Sequence, residues 1–264
     1  MTLSIYLSPF LLIYSSCVAL LLGAALGSFL NCAAWRIVHG ESFLTGRSHC
    51  PQCGHVLGAA DLVPVASWLA LRGRCRYCAA PVPARYVLTE GAFALLTLAC
   101  LLRFDLTPLC ARNLLLLCCL FCLTLTDWEA YLIPDGCLLT AALVWAAFAP
   151  ILGTTWTEAL RAVAAGLCFG GGLLALSLVM DKVLGRESLG GGDVKLFAVM
   201  GLYLGFAASL LALPLACLLG LACAALLRRG RGEAVPFGPA IAAAFALTLF
   251  FGEGPVNWYL GLLA

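Results

Sequence analysis

The chain has 264 residues, of which 63% are hydrophobic and only 11% are charged, and its formal net charge is +2. Its mean hydropathy is +1.04, whereas soluble globular domains average about 45–50% apolar and about 25% charged residues. The composition excludes a soluble domain, a disordered tail and a nucleic-acid-binding protein, and it indicates an integral protein of the lipid bilayer.

Charged and turn residues divide the chain into apolar runs that approach the roughly 20 residues a membrane-spanning helix needs. The first run, from about Pro9 to Val38, lacks a preceding basic region and is too long for a signal-peptide core, so we expect it to be a retained span. The sixth and seventh runs are expected to turn near Gly205, with Pro214 inside the seventh. The pattern predicts an all-α polytopic membrane protein with about eight spans, at residues 9–37, 87–102, 107–126, 136–153, 159–180, 194–205, 207–227 and 238–258.

Charge asymmetry between the loops predicts the orientation. With the N-terminus outside, twelve of the fifteen Lys and Arg residues lie on the inner side, as the positive-inside rule requires. A chain of seven spans would instead place the cluster Arg228–Arg231 outside. We therefore expect eight spans with both termini outside. The residues counted as inner are Arg36, Arg47, Arg72, Arg74, Arg76, Arg85, Lys182, Arg186, Lys195, Arg228, Arg229 and Arg231.

The segment 38–86, between the first two spans, differs from the other loops because it contains two Cys-x-x-Cys pairs. Two such pairs can complete a tetrahedral zinc shell, and four thiolates leave no open position for catalysis. The sequence thus predicts a small zinc-ribbon-like cytoplasmic insert with a structural Zn²⁺ ion. Two unrelated cysteine pairs are the alternative, and His49 and His55 are alternative ligands that we expect to be bystanders. The predicted ligands are Cys50, Cys53, Cys75 and Cys78.

An acidic segment follows the third predicted span. Asp127 lies at the inner end of that span, where an ionised side chain is costly and is usually functional. Glu129 and Asp135 follow it, and Pro134 is expected in the first turn of the fourth span, where its missing N–H is tolerated. The alternative is that these acids are solvated loop charges and a helix cap.

A glycine run, Gly190–Gly192, brings Asp193 to the start of the sixth span, on the same inner side as Asp127. The alternative is a flexible loop followed by an ordinary Asp N-cap. Two carboxyl groups held a few ångströms apart share a proton, so that one can activate a water molecule while the other polarises a carbonyl group. The pair therefore suggests aspartyl-type hydrolysis. A Ser-His-Asp triad is excluded because every histidine lies in the insert.

These motifs together resemble those of the type IV prepilin leader peptidases, bifunctional inner-membrane enzymes of the GxGD aspartyl-protease group. The resemblance covers nearly the whole chain, in the same order. It rests on Gly27–Asn31 with Arg36, Arg47–Cys53, Asp61–Trp68, Arg72–Cys78, Arg85–Tyr86 with Glu90, Asp127, Ile133–Asp135 and Gly190–Lys195.

The resemblance implies that Asp127 and Asp193 are the catalytic pair. It further implies cleavage of the basic leader of prepilins or pseudopilins after a glycine, at the cytoplasmic face of the bacterial inner membrane. Many members also N-methylate the new N-terminal residue with S-adenosylmethionine, and no residue here is assigned to that methyl donor. One departure is Glu129, where members often carry Asp. The supporting catalytic loop would comprise Gly190, Gly192, Lys195, Pro134 and Asp135.

The resulting expectation is a first span at 1–37, a four-cysteine zinc insert at 38–86 and a transmembrane aspartyl peptidase domain at 87–264. The substrate's apolar helix would lie beside the spans, and acids such as Glu187 would attract its basic leader. Three alternatives stay open: a peptidase without methylase activity, a proton-coupled transporter that uses the acids as a relay, and an inactive assembly factor.

Overall fold

The computed structural model describes residues 9–42, 45–185, 188–227 and 235–261, and every regular element in these ranges is a helix. Arg186, Glu187 and the basic cluster Arg228–Arg231 lie outside the described residues. A short 3₁₀ helix occupies Ala59–Asp61. The α-helices are α1 (Pro9–Val38), α2 (Ala66–Ala70), α3 (Arg85–Phe104), α4 (Pro108–Ala130), α5 (Asp135–Ile151), α6 (Trp156–Leu184), α7 (Gly191–Leu226), α8 (Gly238–Phe251) and α9 (Glu253–Gly261).

Five helices (α1, α3, α4, α6 and α7) are long and apolar enough to cross a membrane, and α5 and α8 are shorter apolar helices. The predicted all-α membrane architecture is confirmed, whereas the count of eight spans is not. The difference arises partly at Gly205, where φ of 73° and ψ of 174° interrupt α7 at the predicted junction of two spans. The hydroxyl of Ser209, one turn further along, donates to the Gly205 carbonyl at 2.7 Å and so satisfies its own donor within the apolar helix.

The chain forms two compact units, Met1–Leu114 and Leu115–Ala264. In the first unit α1 packs on α3 at short range, because glycines replace larger side chains at the contact. A Cβ atom on Gly23 would lie 2.7 Å from the Ala94 Cα, and one on Gly27 would lie 3.0 Å from the Glu90 Cα. The two helices therefore approach nearly backbone to backbone.

Polar side chains near the end of α1 and in the second turn of α3 hold the segment between the two helices. Arg36 is buried at the end of α1, and its guanidinium donates to the carbonyls of Ser42 at 3.2 Å and Thr45 at 2.9 Å. Glu90, buried in α3, accepts the backbone N–H of Val65 at 2.7 Å. Each buried charge is thus matched by backbone groups of the insert, as burial of a charge requires.

In the second unit α7 packs against α6 and α8, and small residues again line the closest contact. A Cβ atom on Gly201 would lie 2.8 Å from the Gly166 Cα. One on Gly170 would lie 2.6 Å from the Ala198 Cβ. Tyr203 of α7 also donates its hydroxyl to the Ala141 carbonyl of α5 at 2.8 Å. The start of α7 is therefore held firmly among its neighbours.

We expect Gly170→Leu to destabilise the protein and Gly171→Leu to leave it nearly unchanged. Overpacking a tight contact typically costs about 1–3 kcal/mol, whereas nothing lies within 4 Å of a Cβ on Gly171. Both changes raise helix propensity equally, so the difference reports the packing alone. Thermal unfolding of the two purified variants in detergent measures it, at about 2–4 °C per kcal/mol. Equal melting temperatures would contradict the close α6–α7 contact.

Candidate functional site

The insert between α1 and α3 gathers its four predicted cysteines. The sulfur atoms of Cys50, Cys53, Cys75 and Cys78 all lie within 4.8 Å of one another. The Sγ atoms of Cys50 and Cys78 are 3.9 Å apart, close to the roughly 3.8 Å expected between sulfurs that surround one zinc ion at about 2.3 Å. The donor set and its spacing fit a tetrahedral metal ion.

Two turns with the same hydrogen-bond pattern carry these cysteines. The N–H of Cys50 donates to the carbonyl of His55, and the N–H of Cys75 donates to that of Ala80, both at 2.9 Å. The Cys50 carbonyl in turn accepts the N–H of Gly54, and the Cys75 carbonyl accepts that of Ala79, in each case four residues further on. The two halves of the cluster are therefore built alike, with one Cys-x-x-Cys pair on each.

The surroundings of the cluster favour a thiolate at Cys50, although the pKa of Cys78 is raised to about 11, and they order the turns. Backbone hydrogen bonds, from Cys53 first and Gln52 second, lower the pKa of Cys50 to about 7. The Arg76 guanidinium lies 2.6 Å from the Asp61 carboxylate and holds the pKa of that carboxyl below its usual range. This ion pair ties the 3₁₀ helix to the second turn.

In the described part of the chain, the group that could hold a metal ion consists of the four cysteines and includes neither His49 nor His55. The ring of His55 stacks against that of Tyr77, with centroids 3.6 Å apart. His49 instead forms an isolated antiparallel bridge with Val56. Both histidines therefore contribute to the shape of the insert.

Asp127, in the last turn of α4, has a buried side chain that is 5% exposed. Its Oδ2 accepts the backbone N–H of Gly238, the first residue of α8, at 2.9 Å. A Cβ atom on Gly238 would lie 2.8 Å from that same oxygen. The helix N-terminus can therefore reach the carboxyl group only because residue 238 has no side chain.

Asp193 lies in the first turn of α7, and the backbone N–H of Gly190 donates to its carboxylate. Its Oδ1 is buried and has no hydrogen-bond partner in the described part of the chain. Asp127 lies near enough for its charge to act on Asp193. The ends of two apolar helices thus bring together two carboxyl groups, one of which has an unsatisfied buried oxygen.

The three glycines before Asp193 differ in their surroundings. A Cβ atom on Gly192 would lie 2.8 Å from the Ile133 Cβ, and one on Gly190 would lie 3.2 Å from the Asp193 Oδ2. Nothing lies within 4 Å of a Cβ on Gly191. The outer two glycines therefore allow close packing around the two acids, and the middle one occupies open space.

The remaining predicted site residues lie at the start of α5 and α7. Lys195 donates to the Asp135 carboxylate at 2.7 Å, and both side chains are exposed. Pro134 precedes the first residue of α5 as its N-cap, one residue earlier than predicted. The ion pair brings the start of α5 against the start of α7, two residues after Asp193.

The sequence prediction missed Gly238. The run Pro236–Pro239 is an evident turn signal before the last apolar segment. Nothing in its composition indicates that the turn faces Asp127, which is 111 residues away in the chain.

Two protein-family models match successive parts of the chain. Residues 21–104 match the bacterial peptidase A24 N-terminal domain, and residues 114–225 match the type IV leader peptidase family. No solved structure matches the chain.

Several curated proteins are similar along most of their length, and each is called a prepilin leader peptidase/N-methyltransferase. That of Burkholderia pseudomallei (strain 1026b) is 36% identical over 89% of this chain and 84% of its own. That of Aeromonas hydrophila is 34% identical over 83% of this chain and 76% of its own. That of Bacillus subtilis (strain 168) is 30% identical over 92% of this chain and 97% of its own. The chain therefore belongs to the type IV leader peptidase family.

Proposed function

We propose that this chain is a membrane-embedded aspartyl endopeptidase that removes the basic leader of prepilins or pseudopilins and then N-methylates the new N-terminal residue. Family membership and relatives named for both activities support this proposal. The same names give no support to the transporter, the inactive assembly factor or a peptidase without methylase activity.

One observation carries the proposed chemistry: the carboxyl groups of the buried Asp127 and the half-buried Asp193 interact at helix ends, and one buried oxygen of Asp193 has no partner in the described residues. Asp127 has Oδ2 engaged by the Gly238 N–H. Asp193 has the unsatisfied Oδ1. An unsatisfied buried acceptor is destabilising, and a water molecule or a substrate group would satisfy it. We therefore propose Asp127 and Asp193 as the catalytic pair.

In the proposed reaction the two carboxyl groups share one proton. The ionised carboxylate takes a proton from a water molecule, whose oxygen attacks the scissile carbonyl carbon. The protonated carboxyl group gives its proton to the carbonyl oxygen, which forms a tetrahedral intermediate. The carboxyl group that took the water proton then gives it to the leaving nitrogen, and the C–N bond breaks. A hydroxyl group of the intermediate returns its proton to the other carboxylate, so that the pair again holds one proton and the products are a carboxylic acid and an amine. Gly190, Gly192 and Gly238 position the pair without contacting substrate.

We propose an inner-membrane protein with eight spans, both termini in the periplasm and the acids at the cytoplasmic face. Dividing α7 at Gly205, where helical geometry is broken, and counting α5 and α8 gives eight apolar segments. The positive-inside rule supports this orientation. In this arrangement residues 38–86 are cytoplasmic, and residues 87–264 form the peptidase domain.

The substrate fits this arrangement by charge and hydropathy. Its apolar helix would lie beside the spans, and its basic leader would stay at the inner surface. The exposed carboxylate of Asp135 binds Lys195, which follows Asp193 by two residues in α7. An exposed ion pair contributes only about 0–1 kcal/mol, so an incoming lysine or arginine can replace Lys195. Glu129 is a second acid in this region, and Glu187 lies outside the described residues.

We propose two cofactors. S-adenosylmethionine would supply the methyl group, as the names of the relatives suggest, and we assign no residue to its binding. Zn²⁺ would be held by Cys50, Cys53, Cys75 and Cys78, whose geometry fits it. Four thiolates fill its coordination shell, so it would link the two turns of the insert and take no part in the reaction.

We expect Asp127→Asn and Asp193→Asn each to reduce leader cleavage by about 10²–10⁴-fold, because each removes a group that transfers a proton. The measurement is cleavage of a prepilin substrate by the purified variants in detergent. Asp105→Asn, in the connection between α3 and α4, is the matched control and should cleave normally. If both variants cleave at the wild-type rate while correctly folded, the two aspartates are structural.

We expect Gly238→Ala to reduce kcat strongly and melting temperature little. The added Cβ would lie 2.8 Å from the Asp127 Oδ2 and 3.1 Å from its Cγ, so the carboxyl group must move. A misplacement of about 1 Å can reduce a rate about 10²-fold. Gly136→Ala is the control, since it also lies in a first helical turn and meets nothing within 4 Å. Wild-type kcat in Gly238→Ala would show that the contact does not position Asp127.

We expect the double variant Cys53→Ser/Cys78→Ser to lose its zinc, from about one ion per chain to near none, because serine is a poor zinc ligand. The insert should then become sensitive to limited proteolysis, since metal binding and folding are coupled. Metal analysis and proteolysis of the purified protein provide the two readouts. Cys17→Ser, in α1, is the control. Full zinc content in the double variant would exclude the four-cysteine site.

A further inference from the structure

A second pair of cysteines lies far from the insert in sequence and at the other end of α3. Cys100, in the last turns of α3, and Cys110, in the first turn of α4, have Sγ atoms 3.8 Å apart. Cys100 is completely buried and Cys110 is half-buried. The two thiols are therefore in contact, and one of them is accessible.

A short, ordered connection keeps the two thiols together. The N–H of Asp105 donates to the Leu101 carbonyl at 2.8 Å, which ends α3. The hydroxyl of Thr107 accepts the N–H of Cys110 at 3.3 Å, which caps the start of α4. Because only residues 105–107 separate the helices, the last turns of α3 cannot move far from the first turn of α4.

Cys110 lies in the first turn of α4 and Asp127 in its last turn, so the two residues are at opposite ends of one helix. α3 begins next to the zinc insert and ends at Phe104, and α4 begins at Pro108 and ends near Asp127. In the orientation proposed above, the connection 105–107 is therefore periplasmic. The bacterial periplasm is oxidising, and disulfides form and persist there.

We propose that Cys100 and Cys110 form an intramolecular disulfide that joins α3 to α4 at the periplasmic face. The bond would shorten the distance between the two sulfur atoms from 3.8 Å to about 2 Å. The proposal rests on the orientation given under the proposed function. Cysteines in apolar runs are otherwise expected to behave as small hydrophobic side chains, and the proposed disulfide makes this pair an exception.

The reaction is a thiol–disulfide exchange with a periplasmic oxidant that itself carries a disulfide. The accessible Cys110 thiolate attacks that disulfide and forms a mixed disulfide, releasing one oxidant thiolate. The Cys100 sulfur, after losing its proton, displaces the second oxidant sulfur and forms the bond to Cys110. Two protein thiols lose two protons and two electrons, and the oxidant disulfide gains them as two thiols.

A second pair of neighbouring cysteines, one buried and one half-buried, provides an internal control. Cys122 of α4 and Cys137 of α5 also contact each other through their sulfur groups. They lie toward the end of α4 that carries Asp127, which the proposed orientation places at the cytoplasmic side. Because the cytosol keeps thiols reduced, this pair should remain two thiols.

Differential alkylation of the full chain in bacterial membranes tests the proposal. Cells are quenched with acid, and thiols are blocked with N-ethylmaleimide under denaturing conditions. Disulfides are then reduced and labelled with iodoacetamide, and each cysteine is assigned by peptide mass spectrometry. We expect Cys100 and Cys110 to carry the second label, and Cys122 and Cys137 the first. In Cys110→Ser, Cys100 should carry the first label.

The pattern of labels distinguishes an incorrect disulfide assignment from an incorrect membrane orientation. The first label on both Cys100 and Cys110 in wild type overturns the disulfide. The second label on Cys122 and Cys137 instead overturns the orientation together with the disulfide. Leader cleavage by the same membranes, measured in parallel, reports the proposed peptidase activity independently of either result.

Discussion

The hydrocarbon of a bilayer offers no hydrogen-bond partner to a peptide group, and the helical architecture of this chain follows from that constraint. Groups that need water, metal ions or charged partners are consequently confined to helix ends and to the segment outside the spans. The two candidate acids obey this rule, since Asp127 ends α4 and Asp193 begins α7. The cysteine cluster obeys it as well, because it occupies a segment of turns between α1 and α3.

Close approach between helices depends on small residues, because lipid supplies no hydrophobic force to press apolar helices together. Gly23 and Gly27 allow α1 and α3 to approach closely, and Gly166 and Gly201 allow the same for α6 and α7. Gly238 uses the same absence of a side chain for another purpose, since it brings a backbone N–H to a buried carboxyl group. Packing and site geometry thus rest on one physical property of glycine.

The helical class, the membrane location and the cysteine cluster follow from sequence because each depends on local composition or spacing. Span number is less accessible, because α5 and α8 are short and a single residue, Gly205, interrupts α7. The proposed catalytic role of Asp127 and Asp193 remains a prediction that their mutual position supports. Gly238 could not have been found from local pattern, because its role arises only when residues 111 positions apart meet.

If Asp127 and Asp193 are the catalytic pair, as proposed, their unequal hydrogen bonding bears on how an inhibitor would bind. A transition-state analogue of amide hydrolysis presents a hydroxyl group on a tetrahedral carbon, and such analogues bind far more tightly than substrates. The Asp127 Oδ2 already accepts an N–H, whereas the Asp193 Oδ1 has no donor in the described residues. A hydroxyl group directed at Asp193 would relieve a burial penalty of about 1–3 kcal/mol, which favours compounds that place their donor on the α7 side of the pair.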